Sequence, residues 1–143
     1  MPYLGALTAD PRSLPAVYIG QCIGGADVAI TVGGTYYDAA TLGTLQPGIY
    51  MINGQISFLN TGAAGFETAK LLYGAVCLAS GESSAILTAG EAMVTLGPIV
   101  VNIAIAGVVK LVGTGTAAGT IKNTTVSNAS PGMCTFIQAI RLR

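Results

Sequence analysis

The stretch Pro98-Ile99-Val100-Val101-Asn102-Ile103-Ala104-Ile105-Ala106-Gly107-Val108-Val109-Lys110-Leu111-Val112 decides how this chain is read. Taken as one strand over 99–112, it is apolar on both faces. Odd positions carry Ile99, Val101, Ile103, Ile105, Val109 and Leu111; even positions carry Val100, Ala104, Ala106, Val108 and Val112. Successive side chains of a strand point to opposite faces, so a half-buried strand alternates apolar and polar residues. Here both faces need cover. The core of a small domain supplies one cover, and a second copy of the chain is expected to supply the other. Asn102 and Lys110 interrupt the even face and are expected near its solvent-accessible ends or hydrogen-bonded around an assembly axis.

Composition points the same way. A length of 143 residues fits one domain with a real core. Only 8% of residues are charged, and six acids balance six bases, so there is no basic field for nucleic acid and no polybasic membrane patch. The 52% hydrophobic content and mean hydropathy of +0.67 approach those of a membrane protein. The pattern does not, because a spanning helix needs about 20 consecutive apolar residues. Asn102, Gly107 and Lys110 break the best candidate. Six Tyr, three Phe and no Trp do not supply the aromatic girdles of an outer-membrane barrel. Met1-Pro2-Tyr3-Leu4-Gly5 has neither the basic region nor the apolar run of a secretory signal. The expectation is a soluble protein that hides apolar surface in a tight oligomer.

Turn signals recur at short intervals, among them Gly33-Gly34, Gln46-Pro47-Gly48, Asn60-Thr61-Gly62, Ser80-Gly81-Glu82, Gly97-Pro98 and Ser130-Pro131-Gly132. The segments between them are rich in β-branched and aromatic residues. Short strands at regular spacing indicate an all-β sandwich or barrel. Strands are expected over 17–23, 28–32, 35–38, 49–59, 69–79, 84–88, 92–96, 99–112, 119–126 and 133–142. Ile49 to Leu59 alternates clearly, with Tyr50, Ile52, Ile56 and Phe58 on one face and Asn53, Gln55 and Ser57 on the other. The last strand sets Cys134, Phe136, Ile140 and Leu142 against Thr135, Ile137, Ala139 and Arg141. Phe66 to Cys77 also suits a helical period, but Gly74 in its middle and its strand neighbours favour strand. Residues 1–16 differ: Pro2, Pro11 and Pro15 exclude a helix or central strand, so they read as an extended arm.

The chemistry is notable for what is missing. No His is present, which removes the usual general base, the Ser-His triad and most catalytic metal sites. Asp10, Asp27, Asp38, Glu67, Glu82 and Glu91 carry no motif and read as solvated charges at turns and strand ends. Cys22, Cys77 and Cys134 match no metal spacing and read as buried free thiols, although a disulfide between two of them is open. Gly113-Thr114-Gly115-Thr116-Ala117-Ala118-Gly119 precedes a strand rather than a helix, so it reads as a hairpin connection and not a phosphate loop. No cofactor or metal is expected, and the protein does not read as an enzyme.

Leu45-Gln46-Pro47-Gly48-Ile49-Tyr50-Met51-Ile52-Asn53-Gly54-Gln55-Ile56-Ser57-Phe58 resembles the entry into a long inner strand of the C1q/TNF-like jelly-roll superfamily. The ending Thr135-Phe136-Ile137-Gln138-Ala139-Ile140-Arg141-Leu142 resembles that family's closing strand, which runs back through the trimer centre. Asn60-Thr61-Gly62-Ala63-Ala64-Gly65 and Val76-Cys77-Leu78-Ala79-Ser80-Gly81-Glu82 look like the small-residue turns of phage versions of the fold. The resemblance spans 17–143 and implies a jelly-roll sandwich of about eight to ten antiparallel strands forming a threefold trimer. No acidic cluster matches the calcium sites of some members. Val100, Asn102, Ala104, Ala106, Val108 and Ile137 are expected at the trimer interface. Burying Val100, Val108 and Val112 there would supply about 5–9 kcal/mol per subunit, against an association cost on the order of 4–15 kcal/mol.

Two roles follow. The first is a capsid decoration (cement) protein of a tailed phage: a homotrimer on the outer capsid surface of the virion, made in the host cytoplasm. Its arm residues Tyr3, Leu4, Leu7, Arg12 and Leu14 would bridge subunits of the major capsid protein. The second is the receptor-binding head of a tail or head fibre, with loops presented to a host glycan. A chain that starts at Met1 with no shaft before its head favours the first.

Overall fold

The computed structural model describes residues 17–21, 26–61, 63–85, 90–123 and 135–142. The expected arm, 1–16, lies outside them. Ten strands form among the described residues: β1 (Val17–Gln21), β2 (Val28–Ile30), β3 (Tyr37–Thr41), β4 (Gly48–Asn60), β5 (Gly65–Tyr73), β6 (Val76–Ala85), β7 (Glu91–Ile103), β8 (Val109–Gly115), β9 (Gly119–Lys122) and β10 (Phe136–Arg141). Every pairing is antiparallel.

The strands divide into two sheets. In the first, β7 runs along one edge of β4, from Gly48↔Ile103 to Leu59↔Glu91. The other edge of β4 is shared end to end: β10 pairs with Tyr50–Gln55, and β9 with Ser57–Asn60. β1 and β2 extend that side from β10 and β9. We call this the β4 sheet. The second, the β5 sheet, has the order β3-β8-β5-β6.

The core lies between the sheets and follows from alternation. Tyr50, Ile52, Ile56 and Phe58 of β4 are fully buried, as their spacing predicts, and meet a layer that includes Ala69, Leu71, Val109 and Leu111 from the β5 sheet. Burial of each large apolar side chain contributes roughly 1.5–3 kcal/mol. Tyr50 reaches this depth with its polar end satisfied: its hydroxyl donates to the Gln46 carbonyl at 2.8 Å, and its ring meets Tyr18 edge-on at 6.0 Å.

The 98–112 stretch is not one strand. It continues β7 on the β4 sheet to Ile103, crosses through 104–108, and enters the β5 sheet as β8. The crossing is pinned where Leu45 and Gly107 exchange N–H···O bonds of 2.8 and 3.0 Å. Ile103, Val109 and Leu111 therefore enter the same core from opposite sheets, while Ile105 in the crossing is 75% exposed. Gly97-Pro98, expected as a turn, sits inside β7 at a register shift opposite Ile52 and Gly54. Gly97 has φ +87°, and a Cβ there would lie 2.6 Å from the Ile52 carbonyl oxygen, so both conformation and space require glycine.

Three further expectations change. The 69–79 segment is strand, but in two pieces that turn at Gly74-Ala75, where Gly74 takes φ +57°. Ser80-Gly81-Glu82 lies within β6 rather than in a turn. Gly113 and Gly115 belong to β8, and Thr116–Ala118 carries the chain from the β5 sheet to β9 of the β4 sheet. That connection is a crossover between sheets, not a hairpin.

Candidate functional site

Alternation leaves each sheet an outer face, and the two differ. On the β4 sheet, the inward positions of β4 and β10 are even and odd respectively, so Met51, Asn53 and Gln55 face out beside Ile140, Gln138 and Phe136. The registers align Val17, Ile140, Met51 and Val100 in one row across β1, β10, β4 and β7. Val17 is 52% and Val100 66% exposed, while Met51 and Ile140 are half-buried between neighbours. Towards the 104–108 end, Ile49 stands beside Asn102 and beside Leu142, whose N–H donates to the Ile49 carbonyl at 2.7 Å. In the other direction, Phe136, Gln55 and Thr95 form a further row. None of these outward positions carries a charge; the charges of this face lie further along β4, where Lys122, paired with Asp27, stands opposite Ser57 and Glu91 opposite Leu59. The result is an apolar band crossed by the amide pair Asn53 and Gln138.

The outer face of the β5 sheet is paired and charged. Its central row is Asp38, Val112, Lys70 and Ser80. Lys110 donates to Asp38 Oδ2 at 2.6 Å, Lys70 Nζ sits 4.2 Å from the centre of the Tyr36 ring, and Thr68 Oγ1 donates to Glu82 Oε2 at 3.4 Å. Val112 is buried within this row of its own chain.

The residues expected at a subunit interface therefore scatter. Val100 and Asn102 are exposed on the outer face of the β4 sheet, and only these two share the apolar band. Ala104, Ala106 and Val108 are exposed in the crossing at one end of the sandwich. Ile137 is fully buried in its own chain, because on β10 it is opposite Gly54, on the core side of β4. It cannot face a partner. The pattern of β10 is apolar on both sides, and the side that faces out is Phe136 and Ile140. Val17, Met51 and Ile140 were the residues sequence reasoning missed. The two-faced apolarity of β10 signals Ile140; Val17 on β1 and Met51 on β4 join it only through the register.

A groove of about 660 Å³ opens at the crossing, between the β5–β6 turn and the 104–108 segment. Leu72, Tyr73, Ile105 and Val108 line it with the Asp38–Lys110 ion pair, and the Tyr73 hydroxyl donates to the Ile105 carbonyl.

Among the described residues, no group of three His, Cys, Asp or Glu side chains is placed to hold a metal ion, and no helix is long and apolar enough to cross a membrane. Asp27 and Asp38 are ion-paired at the surface. Cys77, expected as a buried thiol, is exposed on β6; Cys22 and Cys134 lie outside the described residues, as do Tyr3, Leu4, Leu7, Arg12 and Leu14. Glu67 departs from its expectation most. It sits inside β5, is 2% exposed, and burial pushes its carboxyl up from 4.5 to about 7.

No protein-family model matches the chain, and no curated protein matches it in sequence. Solved structures do match its fold. An Eiger TNF from S. frugiperda superposes with a TM-score of 0.57 at 10% identity, over 90% of this chain and 93% of that one. Murine APRIL, solved at pH 5.0, gives 0.58 at 10% identity, over 90% and 100%. A chain of the infectious bursal disease virus Gx strain gives 0.47 at 15% identity, over 92% and 39%, below the level at which a common fold can be argued. The fold is a TNF-like jelly roll.

Proposed function

We propose that this chain is a structural protein of a tailed-phage virion, a homotrimeric decoration protein on the outer capsid surface that bridges coat subunits. The observation that carries the reading is the charge-free apolar band on the outer face of the β4 sheet, centred on the row Val17, Ile140, Met51 and Val100. A contiguous apolar surface of this kind marks an interaction site, and with charged, paired side chains on the outer face of the other sheet it marks a one-sided one. A second copy is the occupant that needs no other partner, and threefold closure is what the resemblance to C1q/TNF-like proteins implies. Val100 and Asn102 keep their interface role; Ala104, Ala106 and Val108 would meet a neighbour only at the rim.

The arm residues Tyr3, Leu4, Leu7, Arg12 and Leu14 are the proposed contacts to the major capsid protein, with binding confined to the assembled shell and stabilising it by mass action. Locating the protein in the intact virion by electron cryomicroscopy tests the role. Density at threefold positions of the shell supports it, and density confined to a tail or fibre tip replaces it with the second reading. That reading, a receptor-binding head for host glycans, draws on the groove beside Tyr73. An aromatic ring next to the Asp38–Lys110 pair offers both a stacking surface and polar partners for a sugar. Glycan binding lost in Tyr73→Ala, with no affinity for shells, would favour it.

A further inference from the structure

Glu67 shares the alternation that buries Ala69 and Leu71, so its side chain lies on the core side of β5. Its cross-strand neighbours are Ser83 on β6 and Gly115 on β8. Gly115 makes the room: a Cβ there would stand 2.3 Å from Glu67 Oε2 and 3.0 Å from its carboxyl carbon. Oε2 is buried and has no hydrogen-bond partner among the described residues. The next residue is clasped to β5 on both sides. The Thr116 N–H donates to the Phe66 carbonyl at 2.9 Å, and the Phe66 N–H donates to Thr116 Oγ1 at 3.0 Å. The carboxyl thus rests against the point where the chain leaves β8 for β9.

Among the described residues, nothing nearby offers it a counter-charge. The core-side residues described at this end are Gly113 and Gly115 on β8, Ser83 on β6, Phe58 and Asn60 on β4, Ile121 on β9 and Ala92 on β7, none of them titratable, and Tyr37 on β3 opposite Gly113, whose hydroxyl is engaged by Thr31 and the Val32 N–H. Lys70 and Glu82 belong to the opposite face of the sheet, where Lys70 lies over Tyr36 and Glu82 accepts from Thr68. Lys110 and Lys122 are paired with Asp38 and Asp27. A carboxylate without water or a cation is costly to hold, and a buried acid in that position keeps its proton instead.

We propose that Glu67 is a proton-operated latch: as the neutral acid it packs on Gly115 and holds the β8–β9 crossover closed, and its ionisation loosens that end of the sandwich. The carboxyl's position near 7 sets the latch to act around neutrality. The unfolded chain gives up the proton at its ordinary value near 4.5, so the folded state is favoured below that value and loses ground as pH rises towards 7. The device belongs to the single chain and does not rest on the assembly reading.

Carbon-13 NMR of the full chain reads the titration of each glutamate carboxyl directly. One midpoint near 7, absent from the Glu67→Gln spectrum, is expected; a Glu67 midpoint in the ordinary range near 4.5 would overturn the latch. Hydrogen exchange then tests the motion. After correction for intrinsic rates, the amides of Phe66 and Thr116, which clasp the crossover to β5, should lose protection on the order of 10-fold or more between pH 5.5 and 8.5 in the wild type but not in Glu67→Gln. Equal loss in both proteins, or none in the wild type, contradicts the proposal. If Glu67→Gln does not fold, the wild-type titration still decides.

Discussion

Val17, Ile140, Met51 and Val100 lie side by side across the β4 sheet, while Asp38, Val112, Lys70 and Ser80 occupy the central row of the β5 sheet. Both rows face away from the same core, and both come from strands with the same two-residue alternation. On the β5 sheet, long charged side chains shield an apolar residue: Val112 is 4% exposed although it points outward. On the β4 sheet nothing of the kind among the described residues covers Val100, which is 66% exposed. An outer face can therefore be apolar in sequence and finished within the chain, or apolar and unfinished. Only the second asks for a partner.

The sharpest way to break this comparison is a charge placed on each face. Met51→Asp sets a carboxylate in the middle of the apolar row, where association would have to desolvate it. Self-association should weaken by at least about 100-fold, on the order of 3 kcal/mol, with the far-UV circular dichroism of the fold retained. Thr68→Asp on the β5 sheet should leave assembly unchanged. Loss of assembly in both variants would remove the distinction between the faces.

A second pair separates core from surface along one strand. Ile137→Ala should cost about 2–5 kcal/mol in denaturant unfolding, since Ile137 is fully buried, whereas Ile140→Ala should cost the fold less than about 1.5 kcal/mol and act mainly on assembly. The reverse order would mean that β10 is turned the other way.

Third in size is the acid in the core. With its carboxyl raised from 4.5 to about 7, Glu67 binds a proton in the folded state over a range where the unfolded chain has released it. The contribution of Glu67 to stability should be greatest below 4.5, fall across that window by roughly 3 kcal/mol, and level off above 7, whereas Asp27, held below its ordinary value beside Lys122, acts in the opposite sense at the acid end. Thermal unfolding of Glu67→Gln should show that slope removed. The smallest effect belongs to the β5 sheet: Asp38→Asn breaks an ion pair whose side chains are 41–45% exposed, and should change stability by less than about 1 kcal/mol, screened further by salt.

Much of this fold is legible in the chain, and the failures have a common cause. The Tyr50, Ile52, Ile56 and Phe58 face of β4 is correct in the sequence because its other face, Asn53, Gln55 and Ser57, is polar. Where both faces are apolar, alternation says that two sides are covered but not by what. In 98–112 the chain changes sheets at 104–108, so one apparent strand serves both walls of a single core. In β10 the same ambiguity puts Ile137 inside and Ile140 outside. Glu67 was hidden for a different reason: its setting depends on Gly115, 48 residues away, and no local pattern connects them.

Sedimentation velocity of the wild-type chain at micromolar concentration tests the central claim most directly. One species at about three times the 14.3 kDa chain mass is expected. A monomer that persists there, with Val100 and Val17 left in water, would contradict it.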